Sequence, residues 1–258
     1  IGVIIDGCPA GLDLCIDKIN SELKKRAPGQ HKLTSPRKEQ DKAELLSGVY
    51  NGKTTGAPIS ILIKNNDVKS SSYTAMQDVY RPGHANYTYL KKYGIMDQRG
   101  GGRASARETA ARVAAGAVAD CILQHHDITV AAYMHSIGQT SIPAYSDKEI
   151  LASVNQSPLY IPEDSQTELL LQQVEQARSA GDSVGGVVAC RIINPFIGLG
   201  EPVYEKLEAK LAYAMLSIPA SKGFEIGKGF SASQLRGSQH NDGMYIDANK
   251  PAFASNHA

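Results

Sequence analysis

Arginine recurs at positions 99, 103, 107 and 112 of this 258-residue chain, around three consecutive glycines, in RGGGRASARETAARVAAGA. Guanidinium groups give paired, charge-assisted hydrogen bonds to phosphate or carboxylate. Glycines let a ligand approach the backbone, because no Cβ stands in the way. The wider segment from Arg81 to Arg112 adds Arg81, Lys91 and Lys92, and only Asp97 and Glu108 oppose these seven basic residues. The whole chain nets +1. Charge concentrated locally in a neutral protein fits a small anionic ligand better than a polyanion. Ser105 and Glu108 form the S-x-x-E pattern, which predicts Ser105 as the N-cap of a helix. The free N–H groups at such a helix start add to an anion site.

His84 lies in RPGHANYTY, close to the same arginines. Neighbouring positive charge disfavours imidazole protonation. A neutral imidazole near pH 7 can take or give a proton during a reaction. Composition alone favours a hydrogen-bonded structural histidine at this position. Arg112 on a helix reads more readily as a solvated charge, and Arg103 and Arg107 have the alternative of ion pairs with acids elsewhere. His31, His125, His126, His135, His240 and His257 have no comparable setting.

The surrounding pattern predicts the elements that must hold these groups. IGVIID reads as a buried strand. Leu12, Ile16, Ile19 and Leu23 recur at helical spacing and are followed by Lys24, Lys25 and Arg26, cations suited to a helix C-terminus. AELLSGVYNGKTTGAPISILIKN predicts two strands around an Asn51-Gly52 turn. HDITVAAYMHSIG and GDSVGGVVACRII are further strands. Ser146 and Ser165 each precede a glutamate by three residues and open helical runs. Pro202 is expected to start a helix with Val203, Leu207, Leu211 and Met215 on one face, and KGFEIGKGF a short strand. Strands and helices mix without regular alternation, which predicts an α+β fold in layers and a single domain over residues 1–258.

Bulk properties set outer limits. A 42% hydrophobic share supports one large core or two modest ones. No apolar run approaches the roughly 18 residues of a membrane span, so no membrane partner is expected. Cys8, Cys15, Cys121 and Cys190 form no C-x-x-C pair, which argues against a zinc or redox motif and for free thiols in a reducing, cytoplasmic compartment. No metal is expected. The chain opens at Ile1 without methionine and stops at SNHA, so segments are expected to lie outside it at both ends.

Taken together, RPGHANYTYLKKYGIMDQRGGGRASARETAARVAAGA resembles the central signature of the chorismate synthase family. DGCPAGL, LSGVYNGKTTGAPI, GDSVGGVV, GLGEPVYEKLEAKLAYAMLSIPASKGFEIGKGF, LRGSQHND and SNHA resemble other family stretches, in order, so the likeness runs along essentially all 258 residues. The resemblance implies a layered β-α-β sandwich, usually in a homotetramer. It implies a lyase that converts 5-enolpyruvylshikimate 3-phosphate to chorismate and phosphate by 1,4-anti elimination, using reduced FMN without net redox change. In some members NADPH reduces the flavin. A substrate with one phosphate and two carboxylates accounts for the arginines. By resemblance, Arg26, Lys32, Arg81 and Arg103 contact substrate anions. Arg103, Ala104, Ser105, Pro219 and Ala220 line the flavin site. His84 matches a catalytic histidine that assists protonation of the reduced flavin.

The chain departs from the family pattern at Asn86, usually aspartate, and at Lys32, commonly arginine. Ala104 stands for a frequent serine and Gln98 for a common tyrosine. Lysine keeps the charge but loses the planar fork. The family's first catalytic histidine and its C-terminal flavin-contacting segment fall outside the sequence, so these residues alone are not expected to turn over normally. Two rival readings remain at this level. One is a non-catalytic fragment of the same fold that binds a phosphate ligand. The other is a nucleic-acid binder built on RGGG, which a 6% aromatic share without tryptophan speaks against, so no nucleic-acid partner is expected.

Overall fold

A computed structural model of the chain describes residues 1–29, 39–67, 79–97, 104–154, 157, 159–162 and 167–257. They fall into two compact units, Ile1–Pro195 and Phe196–Ala258.

In the first unit, strand β1 (Gly2–Ile5) turns Val3 and Ile5 toward the core and leaves Ile4 exposed. The expected buried strand is therefore covered on one face only, as alternating side chains allow. Helix α1 (Ile16–Arg26) buries Ile19 and Leu23 and carries Lys24, Lys25 and Arg26 in its last turn. Leu12, expected on the same stripe, precedes the helix, and its backbone N donates to Thr54 Oγ1 at 3.0 Å. Four short strands stand where two were expected: β2 (Ala43–Leu45), β3 (Val49–Tyr50), β4 (Lys53–Thr54) and β5 (Ile59–Ile63). Asn51 (φ 49°) and Gly52 (φ 75°) close the β3–β4 hairpin, the left-handed pair that a tight two-residue turn requires. Strand β5 is central in an antiparallel sheet of order β1-β5-β2.

Helix α2 (Asn86–Tyr93) stops at Gly94, which caps it with φ 72°. A 3-10 turn at Ala106–Glu108 leads into helix α3 (Thr109–His125). Ala110, Ala114 and Ala117 give α3 a face of small side chains. That face lets it lie close to α1 and to the sheet, where Ile19, Leu23, Ile59, Ile61, Ile63 and Val118 complete the core.

A second sheet of order β7-β6-β8 follows, from β6 (Thr129–Ile137), β7 (Thr140–Ser141) and β8 (Gly186–Ile193). Between β7 and β8 run α4 (Asp147–Ser153) and α5 (Thr167–Ser179), and Tyr133, Ile137, Ile150 and Leu170 form their shared core. Ser146 makes the predicted capping box with Glu149. The one expected at Ser165 lies outside the described residues.

The second unit contains α6 (Leu207–Leu216), a 3-10 turn at Gly229–Gln234, α7 (Gly237–His240) and the hairpin β9 (Met244–Asp247) and β10 (Lys250–Phe253). None of its described residues is buried. The helix expected from Pro202 begins five residues later, because Val203 takes a left-handed conformation (φ 70°) that no helix accepts. The expected strand in KGFEIGKGF is not formed. Gly227 and Gly229 both adopt positive φ there, and the backbone turns instead of extending. Among the described residues, no helix is long and apolar enough to cross a membrane.

Candidate active site

The short turn before α2 brings Arg81 and His84 together. The backbone N of His84 donates to the Arg81 carbonyl at 3.2 Å. Arg81 Nη2 stands 2.6 Å from His84 Nε2, and the backbone N of Asn86 donates to Nδ1 at 3.2 Å. A guanidinium has only donors. The Arg81 contact thus requires a lone pair on Nε2, which opposes the imidazolium form, since that form has none to offer. Burial and, after it, the charge of Arg81 push His84 below the usual histidine range, against the opposing pull of Asn86. Asn86 opens α2 with its side chain buried and its Oδ1 unpartnered. Tyr80 meets Tyr87 edge-to-face at 4.9 Å beside this turn.

A second cluster joins the end of α1 to the start of α3. Arg26 Nη1 donates to Asp41 Oδ2 at 2.8 Å, and Arg26 Nε donates to Thr109 Oγ1 at 3.2 Å. Arg107 Nη1 lies 2.7 Å from Asp41 Oδ1, and Arg107 Nη2 lies 3.4 Å from Glu39 Oε2. Arg107 also donates through Nε to Asn65 Oδ1 and through Nη2 to the Lys64 carbonyl. Glu39, Asp41 and Arg107 are all buried. Two arginines and two carboxylates balance, so the cluster brings no net charge into the interior.

These positions sort the sequence expectations. Arg107 takes the ion-pair alternative and is saturated by protein groups. Arg112 pairs with Glu108 at 2.8 Å, one turn away, on the surface. Ser105 is an N-cap, but of the 3-10 turn: its Oγ accepts from Arg107 N at 3.3 Å, while Glu108 turns to Arg112 and the reciprocal box is not made. Ala104 and Ser105, both half-buried, precede that turn. Pro219 and Ala220 lie in the second unit, exposed in the turn after α6, with Ala220 at φ 69°. Lys32, Gln98 and Arg103, with the glycines at 100–102, lie outside the described residues. Glu39, Asp41, Asn65 and Thr109 are not legible as partners from sequence. The only signal is a pair of acids two apart in PRKEQDK, within an otherwise basic stretch.

The whole chain matches the family model for chorismate synthase, over residues 1–258. A chorismate synthase from Protochlamydia amoebophila is 54% identical over 264 residues, covering 100% of this chain and 72% of the relative. One from Porphyromonas gingivalis is 48% identical over 260 residues, with coverage of 100% and 71%. A solved crystal structure of chorismate synthase superposes with a TM-score of 0.80 at 33% identity, over 99% of this chain and 73% of that one. The α+β architecture and the histidine–arginine turn thus stand in a chain that matches these proteins from end to end, and it belongs to the chorismate synthase family.

Proposed function

We propose that the protein converts 5-enolpyruvylshikimate 3-phosphate to chorismate and inorganic phosphate by 1,4-anti elimination. The reaction removes one substrate proton and breaks one carbon–oxygen bond to phosphate, with no net oxidation. The observation that supports this reading best is the Arg81–His84 contact, a guanidinium against a neutral imidazole, in a chain of this family.

The cofactor is a flavin, which we assign as reduced FMN. When bound it supplies electron density to the allylic system as phosphate leaves. The residues present fit such a group. A guanidinium, an uncharged imidazole and a buried amide oxygen without a partner lie within six residues, and together they offer the donors and acceptors that a flavin ring edge presents in turn. Ala104 and Ser105, with Arg103, Pro219 and Ala220, are the residues we assign to holding it. NADPH is its proposed reductant.

The chain's own groups bind, orient and manage protons. Arg26, Lys32, Arg81 and Arg103 are assigned to the substrate's phosphate and carboxylates, where charge-assisted bonds strengthen as phosphate departs. His84, kept uncharged by burial and by Arg81, is able to pass a proton near neutral pH without first losing one to solvent. We further propose a cytoplasmic homotetramer that acts as one domain per chain. The test is chorismate formation, followed spectroscopically under anaerobic conditions, by full-length protein with substrate and reduced FMN. Formation of chorismate and phosphate in equal amounts is expected. Tight substrate binding without turnover would leave only the binding-fragment reading.

A further inference from the structure

We propose that Asp41 is a positioning residue that aims Arg26 at the substrate, with Thr109 as its second support. The proposal rests on the assignment of Arg26 to a substrate anion. It concerns how that guanidinium is held.

The two arginines of the buried cluster are held differently. Every face of Arg107 is occupied: Nε by Asn65, Nη1 by Asp41, Nη2 by Glu39 and the Lys64 carbonyl. Arg26 is anchored at two of its three nitrogens. Its Nε goes to Thr109 and its Nη1 to Asp41, and no partner among the described residues takes Nη2. Its side chain keeps 23% of its surface exposed while that of Asp41 has none. A guanidinium held at two nitrogens, with the third left over, is arranged to present a donor. Fixing the planar fork in advance removes side-chain entropy that binding otherwise costs.

Asp41 itself shows the expense of that arrangement. Its backbone sits in the left-handed region at φ 46°, a conformation that costs a non-glycine residue free energy and persists where surroundings enforce it. Its two oxygens are shared, Oδ2 to Arg26 and Oδ1 to Arg107. The shared carboxylate fixes the distance between the end of α1 and the start of α3, and it screens two guanidiniums that otherwise repel. Glu39 touches Arg107 and the backbone N of Asn66 but not Arg26. It belongs to the same cluster without holding the presented group, which makes it the natural control.

The experiment compares D41N, T109V, E39Q and R26A in the full-length enzyme. It reads kcat and KM with reduced FMN, and the substrate Kd by calorimetry without flavin. Asp41→Asn should raise both KM and Kd by roughly tenfold or more, the scale of one charge-assisted hydrogen bond, with kcat little changed. Thr109→Val, at a half-buried hydroxyl, should act in the same direction with a smaller effect and keeps the test alive if Asp41→Asn does not fold. Glu39→Gln should leave Kd unchanged. Asp41→Asn in an Arg26→Ala background should add nothing further to Kd, because the residue it aims is gone. If Arg26→Ala raises Kd while folded Asp41→Asn and Thr109→Val do not, the positioning role is overturned. Equal losses in Glu39→Gln and Asp41→Asn overturn it too, in favour of a purely structural cluster. If Arg26→Ala itself leaves Kd unchanged, the assignment of Arg26 to the substrate falls instead.

Discussion

His84 and Arg107 show two uses of positive charge at single residues. At His84 the charge of Arg81, 2.6 Å away, adds to burial and holds the imidazole below its ordinary range. Replacing Arg81 by glutamine removes that charge, so the His84 pKa should rise toward the ordinary histidine value. A two-dimensional NMR titration of the ring reads this directly, and a lowered or unmoved value speaks against the contact. His84→Ala should reduce kcat by about 10²-fold, in the range for a lost proton-transfer group, with the circular dichroism of the parent protein. Arg107 is a different case. It is buried between Glu39 and Asp41, so Arg107→Met leaves Glu39 buried without its cation and Asp41 with Arg26 as its one remaining ion-pair partner among the described residues. Breaking a buried pair from one side costs about 3–5 kcal/mol, and denaturant unfolding should show a loss of that size. Arg107 and Arg112 look alike in sequence, four and nine residues after Arg103. What separates them is the position of Glu39 and Asp41, more than sixty residues upstream, which no local pattern encodes.

Elements were legible where a backbone rule acts locally. The Asn51-Gly52 turn, the Ser146 box and the stripe of α1 each follow from residues within one turn of each other. The 3-10 start of α3 was not legible, because Ser105 caps either kind of helix. Glu108 prefers Arg112 to the reciprocal bond with Ser105. Gly48 shows a constraint set by packing. It has φ 79°, and a Cβ added there would lie 2.6 Å from Ile59 Cγ1 and 2.8 Å from the Pro58 carbonyl. Ile59 is a fully buried core residue in central strand β5, so it has no room to yield. Gly48→Ala combines left-handed strain with a backbone clash and should cost at least about 2 kcal/mol of stability. A chemical-denaturation midpoint equal to that of the parent protein would remove the packing constraint. Ser146→Ala offers a milder comparison: loss of the α4 cap should cost about 1 kcal/mol, read from the same unfolding curves.

At the scale of the whole molecule, the helical and strand patterns of the second unit predicted covered faces that this chain by itself leaves open. Leu207, Leu211 and Met215 recur on α6, yet no α6 residue is buried, and Ile197, Tyr204, Tyr213 and Phe230 are among the exposed large side chains. Among the described residues of the first unit, strand β8 edges its sheet and exposes Val187, Val188 and Ile192. An unpaired strand edge with exposed valines invites further pairing unless something covers it. Large exposed apolar surfaces mark contacts with other protein. The proposed homotetramer supplies such cover, since symmetric assembly buries the same patch on each copy. Sedimentation equilibrium of the full-length protein should therefore give a mass near four chains at micromolar concentration. Val188→Glu places a charge on the open edge and should shift the distribution toward smaller species while the far-ultraviolet spectrum stays that of a folded protein. A parent protein that sediments as a monomer, or a Val188→Glu variant that remains fully tetrameric, excludes this edge as an assembly contact.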